Sequence, residues 1–226
     1  MRRLVLTLPL AALLLQVDRF AMSTTAPTPV HLAQDLSEAL RALPARSEGR
    51  FGSPGDALNM LFLGSEEAVS RALEDAGWMS LHLAIAPSVG AGLAQLLRGE
   101  RLTKFPPMNL YEVMGRTQDM NWAQVVRPIQ ERHHFRLWRT GIVDRRGREL
   151  WWGSGNYDLS VRWIDLSHRP DPDMNRERDY LAATLRGVPS VESLALVELP
   201  QIPREGRNDK GYPFTTDGRA LLVLLR

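Results

Sequence analysis

The chain contains no cysteine, which excludes a disulfide framework and a lipid-modified cysteine anchor. Its 28 basic and 26 acidic side chains leave a net charge of only +2 over 226 residues. No basic run is interleaved with aromatics, so no nucleic-acid partner is expected. The apolar run from Leu4 to Val17, about 14 residues, falls short of the roughly 20 that a membrane-spanning helix requires. Internal repeats are missing. Gly64-Ser65 leads into a helix N-terminus but lacks the further glycines and lysine of a phosphate loop. Ser154 stands in Gly-Ser-Gly, without the spacing of a nucleophile elbow. Asp171-Pro172-Asp173 lacks the glycine and distal glutamate of a calcium loop, and reads better as an Asx turn and helix cap.

With 44% hydrophobic and 24% charged residues, the chain is ordinary globular material for one domain with appendages. Met1-Arg2-Arg3, the apolar run and the small residues of Ala21-Met22-Ser23 follow the order of a secretory signal peptide. Residues 1–23 are therefore expected to be a signal peptide or an uncleaved anchor, with a mature start near Thr24. The expected location is the periplasm or the exterior, or the membrane if the segment is retained. Residues 24–54 read as linker and short helix, and 55–226 as the main domain.

Apolar spacing and caps predict helices over Val30 to Leu43, Ser65 to Ala76, Pro87 to Leu97 and Asp173 to Arg186. Strands are expected at 57–63, 109–116, 131–143, 149–158, 193–199 and 219–226. Helices before and after a run of hairpin strands give an α+β class: a single domain with one mixed, largely antiparallel sheet, covered by helices on one face.

The middle of the chain concentrates polar chemistry. Alternation along 131–139 puts Arg132, His134, Arg136 and Trp138 on one face, and His133, Phe135 and Leu137 on the other. Segment 149–158 places Leu150, Trp152, Ser154, Asn156 and Asp158 together and pairs with the first as an antiparallel hairpin. Gly153 and Gly155 mark a close approach by backbone or ligand. The helix capped by Asp173 carries an apolar stripe of Met174, Leu181 and Leu185 with Glu177 and Arg178 beside it.

These residues resemble the LssY C-terminal domain, a bacterial family. The resemblance runs from Gly55-Asp56 through Ala76-Gly77-Trp78, Tyr111 to Asp119, Arg132-His133-His134-Phe135-Arg136-x-Trp138, Trp152-Gly153 with Asp158, and His168 to Asp179, about 125 residues in collinear order. It implies company with membrane-embedded, lipid-phosphatase-like segments, and it brings no settled activity. Two departures stand out: His168-Arg169 where members commonly show His-His, and Asn175 where they carry a further Asp.

Arg116, Arg132, His134 and Arg136 form a candidate cradle for a phosphate or carboxylate, since guanidinium groups meet such anions bidentately. The competing reading is an internal ion network of Arg136 with Asp158, Glu177, Arg178 and Asp179. A metal would need His133 or His134 with His168 or Asp158, but adjacent strand residues face opposite ways, and neither metal nor cofactor is expected. Trp138, Trp151, Trp152 and Trp163 read as packing residues. Two functions stay open: an envelope domain that binds an anionic ligand or a membrane or envelope partner without catalysis, and a hydrolase acting on a phosphorylated or lipid-derived substrate with His134 as acid or base. If the polar face of 131–139 lines an open pocket, chemistry is favoured; if the late helix covers it, structure is.

Overall fold

The computed structural model describes residues 30–31, 36–81, 108–127, 131–162 and 167–226. The leader, the linker over 24–29, the helix expected over Pro87 to Leu97 and Trp163 lie outside the described residues.

A hairpin of two long strands organises the fold: β9 (Glu131–Val143) and β10 (Glu149–Arg162). Its turn is closed by Asp144, whose Oδ1 accepts from the backbone N–H groups of Arg146 and Arg148, both at 2.8 Å, while Gly147 takes φ 76°. The register sets Arg132 opposite Asp158, His134 opposite Asn156 and Trp138 opposite Trp152. The alternation of the sequence is thus the alternation of the sheet.

Around this hairpin the sheet extends in both directions. On one side come β4 (Met60–Leu63), β15 (Arg219–Leu225) and the edge strand β12 (Val191–Glu198). On the other come β8 (Met120–Arg127) and β5 (Met79–Ser80). Two short strands attach off this path, β1 (Val30–His31) to β9 and β11 (Ser167–Pro170) to β10. The pairs of β4 with β15 and of β1 with β9 are parallel, and the rest are antiparallel. The α+β class with a mixed, largely antiparallel sheet holds.

Two helices cover one face of the sheet. Val69, Ala72 and Leu73 of α2 (Glu66–Asp75) and Leu181 and Leu185 of α3 (Met174–Leu185) pack onto Met60, Phe62, Trp122, Phe135, Leu137, Trp151 and Val223. Ser65 caps α2, and Asp173 caps α3 by accepting from the Asn175 N–H at 3.0 Å. The opposite face is not bare. Leu40 and Leu43, in and just beyond α1 (Leu36–Ala42), join Tyr111, Val113, Leu199, Ile202 and Phe214 on Leu61, Leu63, Trp138, Leu150 and Trp152. Two further sheets stand on this side: a small one of β2 (Arg46–Glu48), β3 (Pro54–Ala57), β6 (Glu112–Val113) and β7 (Arg116–Thr117), and a hairpin of β13 (Glu205–Arg207) and β14 (Pro213–Thr215).

Several elements depart from expectation for tertiary reasons. Val30 and His31, expected to open a helix, pair instead as a strand with Ile142 and Val143, and the helix described here is Leu36–Ala42. The strand expected over 57–63 breaks at Leu58 and Asn59. Ala57 ends β3 in the small sheet, whereas Met60 opens β4 in the large one. Asn59 marks the division: its side chain accepts from Gly155 N–H at 3.0 Å and donates to Met174 O at 3.2 Å. The strand expected over 109–116 is a tight hairpin, β6 to β7, turned at Met114 (φ 54°) and Gly115 (φ 71°). Strand β8 was not expected at all, although it is the neighbour of β9.

Candidate functional site

On the face opposite α2 and α3, the outer half of the β9–β10 hairpin is left with polar residues, and there a cavity of about 110 Å³ opens. Arg132, His134 and Arg136 of β9 and Asn156 and Asp158 of β10 form its floor. Four of these are cross-strand neighbours by register, Arg132 with Asp158 and His134 with Asn156. His168 comes from β11, which pairs with the end of β10. Asp56, Tyr111, Asn208 and Lys210 close it from the small sheet and from the turn between β13 and β14. The polar face of β9 lines an open cavity, and α3 covers the other face.

Asp158 is the centre of the floor. Its Oδ2 accepts from Arg132 Nε at 2.8 Å and lies 3.4 Å from His134 Nδ1 and 3.5 Å from His168 Nδ1. Burial pushes its carboxyl upward, but His134, Arg132 and His168 more than offset this, and it is held below the usual range as an anion. His134 is pushed well below its ordinary value of 6.5, by burial first and by Arg132 and Arg136 next, despite Asp158. It therefore stands neutral at neutral pH, not as the imidazolium an anion cradle suggests. His168 is lowered for the same first reason. Arg136 is buried, donates from Nε to Asn109 O at 3.2 Å and lies 4.8 Å from the Tyr111 ring.

Three cations, Arg132, Arg136 and Lys210, face two carboxylates, Asp56 and Asp158. Burial pushes Asp56 upward, toward its neutral form, although Asn208 Nδ2 donates to it at 3.0 Å. Lys210 makes no ion pair among the described residues, and burial lowers its ammonium. Positive charge is in excess, and some of it is unsatisfied. Arg132 Nη1 and the Nδ1 atoms of His134 and His168 are buried without a hydrogen-bond partner.

Arg116 is not brought to this cavity. Its guanidinium is committed to Asp119 Oδ1 at 2.8 Å and to the Arg139 carbonyl at 3.3 Å. The single network of Asp158, Glu177, Arg178 and Asp179 with Arg136 does not form either, because the sheet and helix separate its members. Arg178 pairs with Asp179 at 2.8 Å and Asp217 at 2.6 Å. Glu177 meets His133 Nδ1 at 2.5 Å. Asp158 and Arg136 stay on the cavity side. His133 itself stacks on Tyr180 with ring centroids 3.6 Å apart.

Other candidates are structural. Ser154 Oγ donates to Ala57 O at 2.9 Å. A Cβ on Gly155 would lie 2.2 Å from Met60 Cε, so the close approach there is packing. Asp171 Oδ1 accepts from the Asp173 N–H at 3.0 Å, an Asx turn before the cap. Trp138, Trp151 and Trp152 are fully buried. No group of three or more metal-ligating side chains among the described residues is arranged to hold an ion.

Sequence reasoning missed Asp56, Asn156, Tyr111, Asn208, Lys210 and, as part of the anion cradle, His168. Asn156 shared a face with Asp158 and was legible by alternation. Asn208 and Lys210 sit on a short hairpin with no apolar periodicity, and nothing local marks them.

A family model described as LssY C-terminus matches residues 40–220. The chain belongs to the LssY C-terminus family. Every residue lining the cavity of this LssY C-terminal domain falls inside the matched span. No curated protein and no solved structure matches the chain. The two departures noted in the sequence lie off the cavity. Arg169 is exposed, next to His168 on β11, and Asn175 Oδ1 accepts from Arg178 and from the Asp217 N–H at 3.2 and 3.1 Å.

Proposed function

We propose that this LssY C-terminal domain binds an anion, a phosphate or carboxylate group, in the cavity over Arg132, His134 and Arg136. The observation that carries this reading is the buried Arg132 Nη1 with no acceptor. A buried donor left unpaired costs about 1 to 3 kcal/mol, and an oxygen ligand in the cavity removes that cost. The excess of cations over carboxylates gives the ligand its sign. Lys210 takes the place that the sequence reading gave to Arg116.

Calorimetric titration with inorganic phosphate, sulfate and acetate tests this. Saturable binding of an anion that Lys210→Ala and Arg136→Gln weaken is the expected result. Wild-type protein that takes up none of them ends the proposal.

A hydrolytic reading is favoured by one observation, the two imidazoles on the same cavity. The basic start and apolar run of the sequence support export to the cell envelope, with removal of the leader near Thr24 and a membrane or envelope protein as partner. Mass spectrometry of the protein from its native host tests the export; an intact N-terminus on a soluble cytoplasmic protein overturns it.

A further inference from the structure

We propose that the cavity is a phosphoryl-transfer site for phosphate monoesters, in which His134 attacks phosphorus, His168 serves the leaving oxygen, and Asp158 orients both rings. This rests on the anion-binding reading and adds a reaction to it.

The geometry begins at Asp158. One carboxylate oxygen lies 3.4 Å from Nδ1 of His134 and 3.5 Å from Nδ1 of His168. A carboxylate accepts only, so the ring nitrogen facing it is the one that carries the proton. Each imidazole then keeps its lone pair at Nε2, on a ring that lines the cavity. Both Nδ1 atoms are buried, and neither makes a hydrogen bond in this structure. Catalytic hydrogen bonds are commonly long or misaligned before substrate binds and tighten when it does. An imidazole set by a carboxylate in one tautomer is the arrangement that prepares a nucleophile or a base. Here one carboxylate faces two.

The two rings differ in place, and the difference assigns their roles. His134 sits in mid-β9 between Arg132 and Arg136, with a side chain 7% exposed. His168 stands on the short strand β11, with a side chain 17% exposed. A phosphoryl group drawn to Arg132, Arg136 and Lys210 rests against His134. Its ester oxygen then points outward, toward His168. The hydroxyls of Ser154 and Tyr111 are already donated to Ala57 O and Asp209 Oδ1.

In the first step the Nε2 lone pair of His134 forms a P–N bond. The bond from phosphorus to the ester oxygen breaks, its electron pair stays on oxygen, and that oxygen takes the Nε2 proton of His168 in its imidazolium form. The bound dianion favours that form. The phosphorylated His134 ring is a cation, and Asp158 lies against its Nδ1–H. In the second step water attacks phosphorus and gives one proton to neutral His168. The P–N bond breaks with its electron pair returning to His134. An alcohol and inorganic phosphate leave, and both rings are restored. Arg132, Arg136 and Lys210 meet the charge on the phosphoryl oxygens throughout.

The test uses the full chain with two probes, para-nitrophenyl phosphate for turnover and 32P-phosphoramidate for labelling, because phosphoramidate transfers its phosphoryl group without an acid at the leaving nitrogen. Wild type is expected to release nitrophenol and to carry an acid-labile, alkali-stable label on His134. His134→Asn is expected to lose both by about 100-fold or more. His168→Asn is expected to lose turnover with the ester, to accept label from phosphoramidate and to retain it longer, a split that mere structural damage does not produce. Wild type that binds phosphate calorimetrically but takes no label and releases no nitrophenol overturns the reaction and leaves the anion site standing. Wild type that binds no phosphate overturns both. A label on any residue other than His134 overturns the assigned nucleophile.

Discussion

Arg132 and Asp158 face each other across the β9–β10 register, and a single bond, Nε to Oδ2 at 2.8 Å, joins them. The pair uses one edge of the guanidinium and leaves Nη1 buried and unpaired. Arg132 therefore neutralises Asp158, and its Nη1 is the donor that the proposed anion would meet.

Arg132→Ala is expected to destabilise the fold as well as abolish anion binding, because it leaves Asp158 buried without its cation. Removal of one partner of a buried pair costs about 3 to 5 kcal/mol. Denaturant unfolding beside calorimetry measures both effects. Arg132→Lys, which keeps the charge and loses the fork, is expected to recover much of the stability and little of the affinity. Equal stability of wild type and Arg132→Ala contradicts the pairing.

Lys210→Ala separates binding from folding. Its ammonium has no ion pair among the described residues, so its loss is expected to leave the melting temperature close to wild type. A charge-assisted hydrogen bond contributes about 1.5 to 3 kcal/mol, so affinity for phosphate is expected to fall roughly 10- to 100-fold. Unchanged affinity removes Lys210 from the site.

Arg178→Ala gives the opposite pattern. This buried guanidinium holds Asp179, Asp217, Asn175 Oδ1 and the Arg219 carbonyl, and so ties α3 to the start of β15. Burial pushes Asp217 upward, but the hydrogen bonds from Arg178 and Arg219 together outweigh it and hold the carboxyl at about 2, so it keeps its charge through mild acid. The carboxylates left behind reach water, so the expected loss is about 3 kcal/mol, at the lower end for such pairs. Phosphate affinity measured below the melting transition is expected to be that of wild type.

His133 Nδ1 and Glu177 Oε2 are in contact at 2.5 Å. Burial lowers His133 to about 4 and pushes Glu177 well above 4.5. Below pH 4.5 the unfolded chain binds a proton on each group, whereas the folded pair, with Glu177 protonated and His133 lowered to about 4, holds one, so stability falls as pH drops toward 4. The raised Glu177 contributes the opposite slope: its share of stability falls as pH rises from 4.5 through its folded value. Denaturant unfolding across pH 4 to 9 measures both slopes, and Glu177→Gln is expected to remove the second. A profile unaffected by that substitution assigns it to other groups.

Sulfate, which does not titrate in this range, isolates the cavity's own pH dependence. Burial depresses both His134 and His168 below 6.5, so the free cavity holds neutral rings at neutral pH. Sulfate affinity is expected to rise as pH falls, as the bound dianion draws a proton onto His168, and His168→Asn is expected to flatten that rise. A rise unaffected by His168→Asn assigns the proton to another group.

The sequence by itself determined whatever local rules govern. The β9–β10 hairpin and its two faces follow from a side-chain period of two, and α3 from its Asp173 cap, its stripe of Met174, Leu181 and Leu185, and Gly187 beyond it at φ 81°. The polar floor of Arg132, His134, Arg136 and Asp158 was legible for the same reason. Only the tertiary structure decided the rest. The chain 54–63 divides between two sheets because β4 pairs with β10 and β15, strands about 90 and 160 residues away. Arg116 matched the chemistry of the cradle, yet Asp119 and the Arg139 carbonyl hold it elsewhere. Asp56, His168 and Lys210 meet over one floor through pairings whose entropy cost and packing gain depend on the whole sheet. No window of neighbouring residues contains that balance, so the site's floor was visible in the sequence and its walls were not.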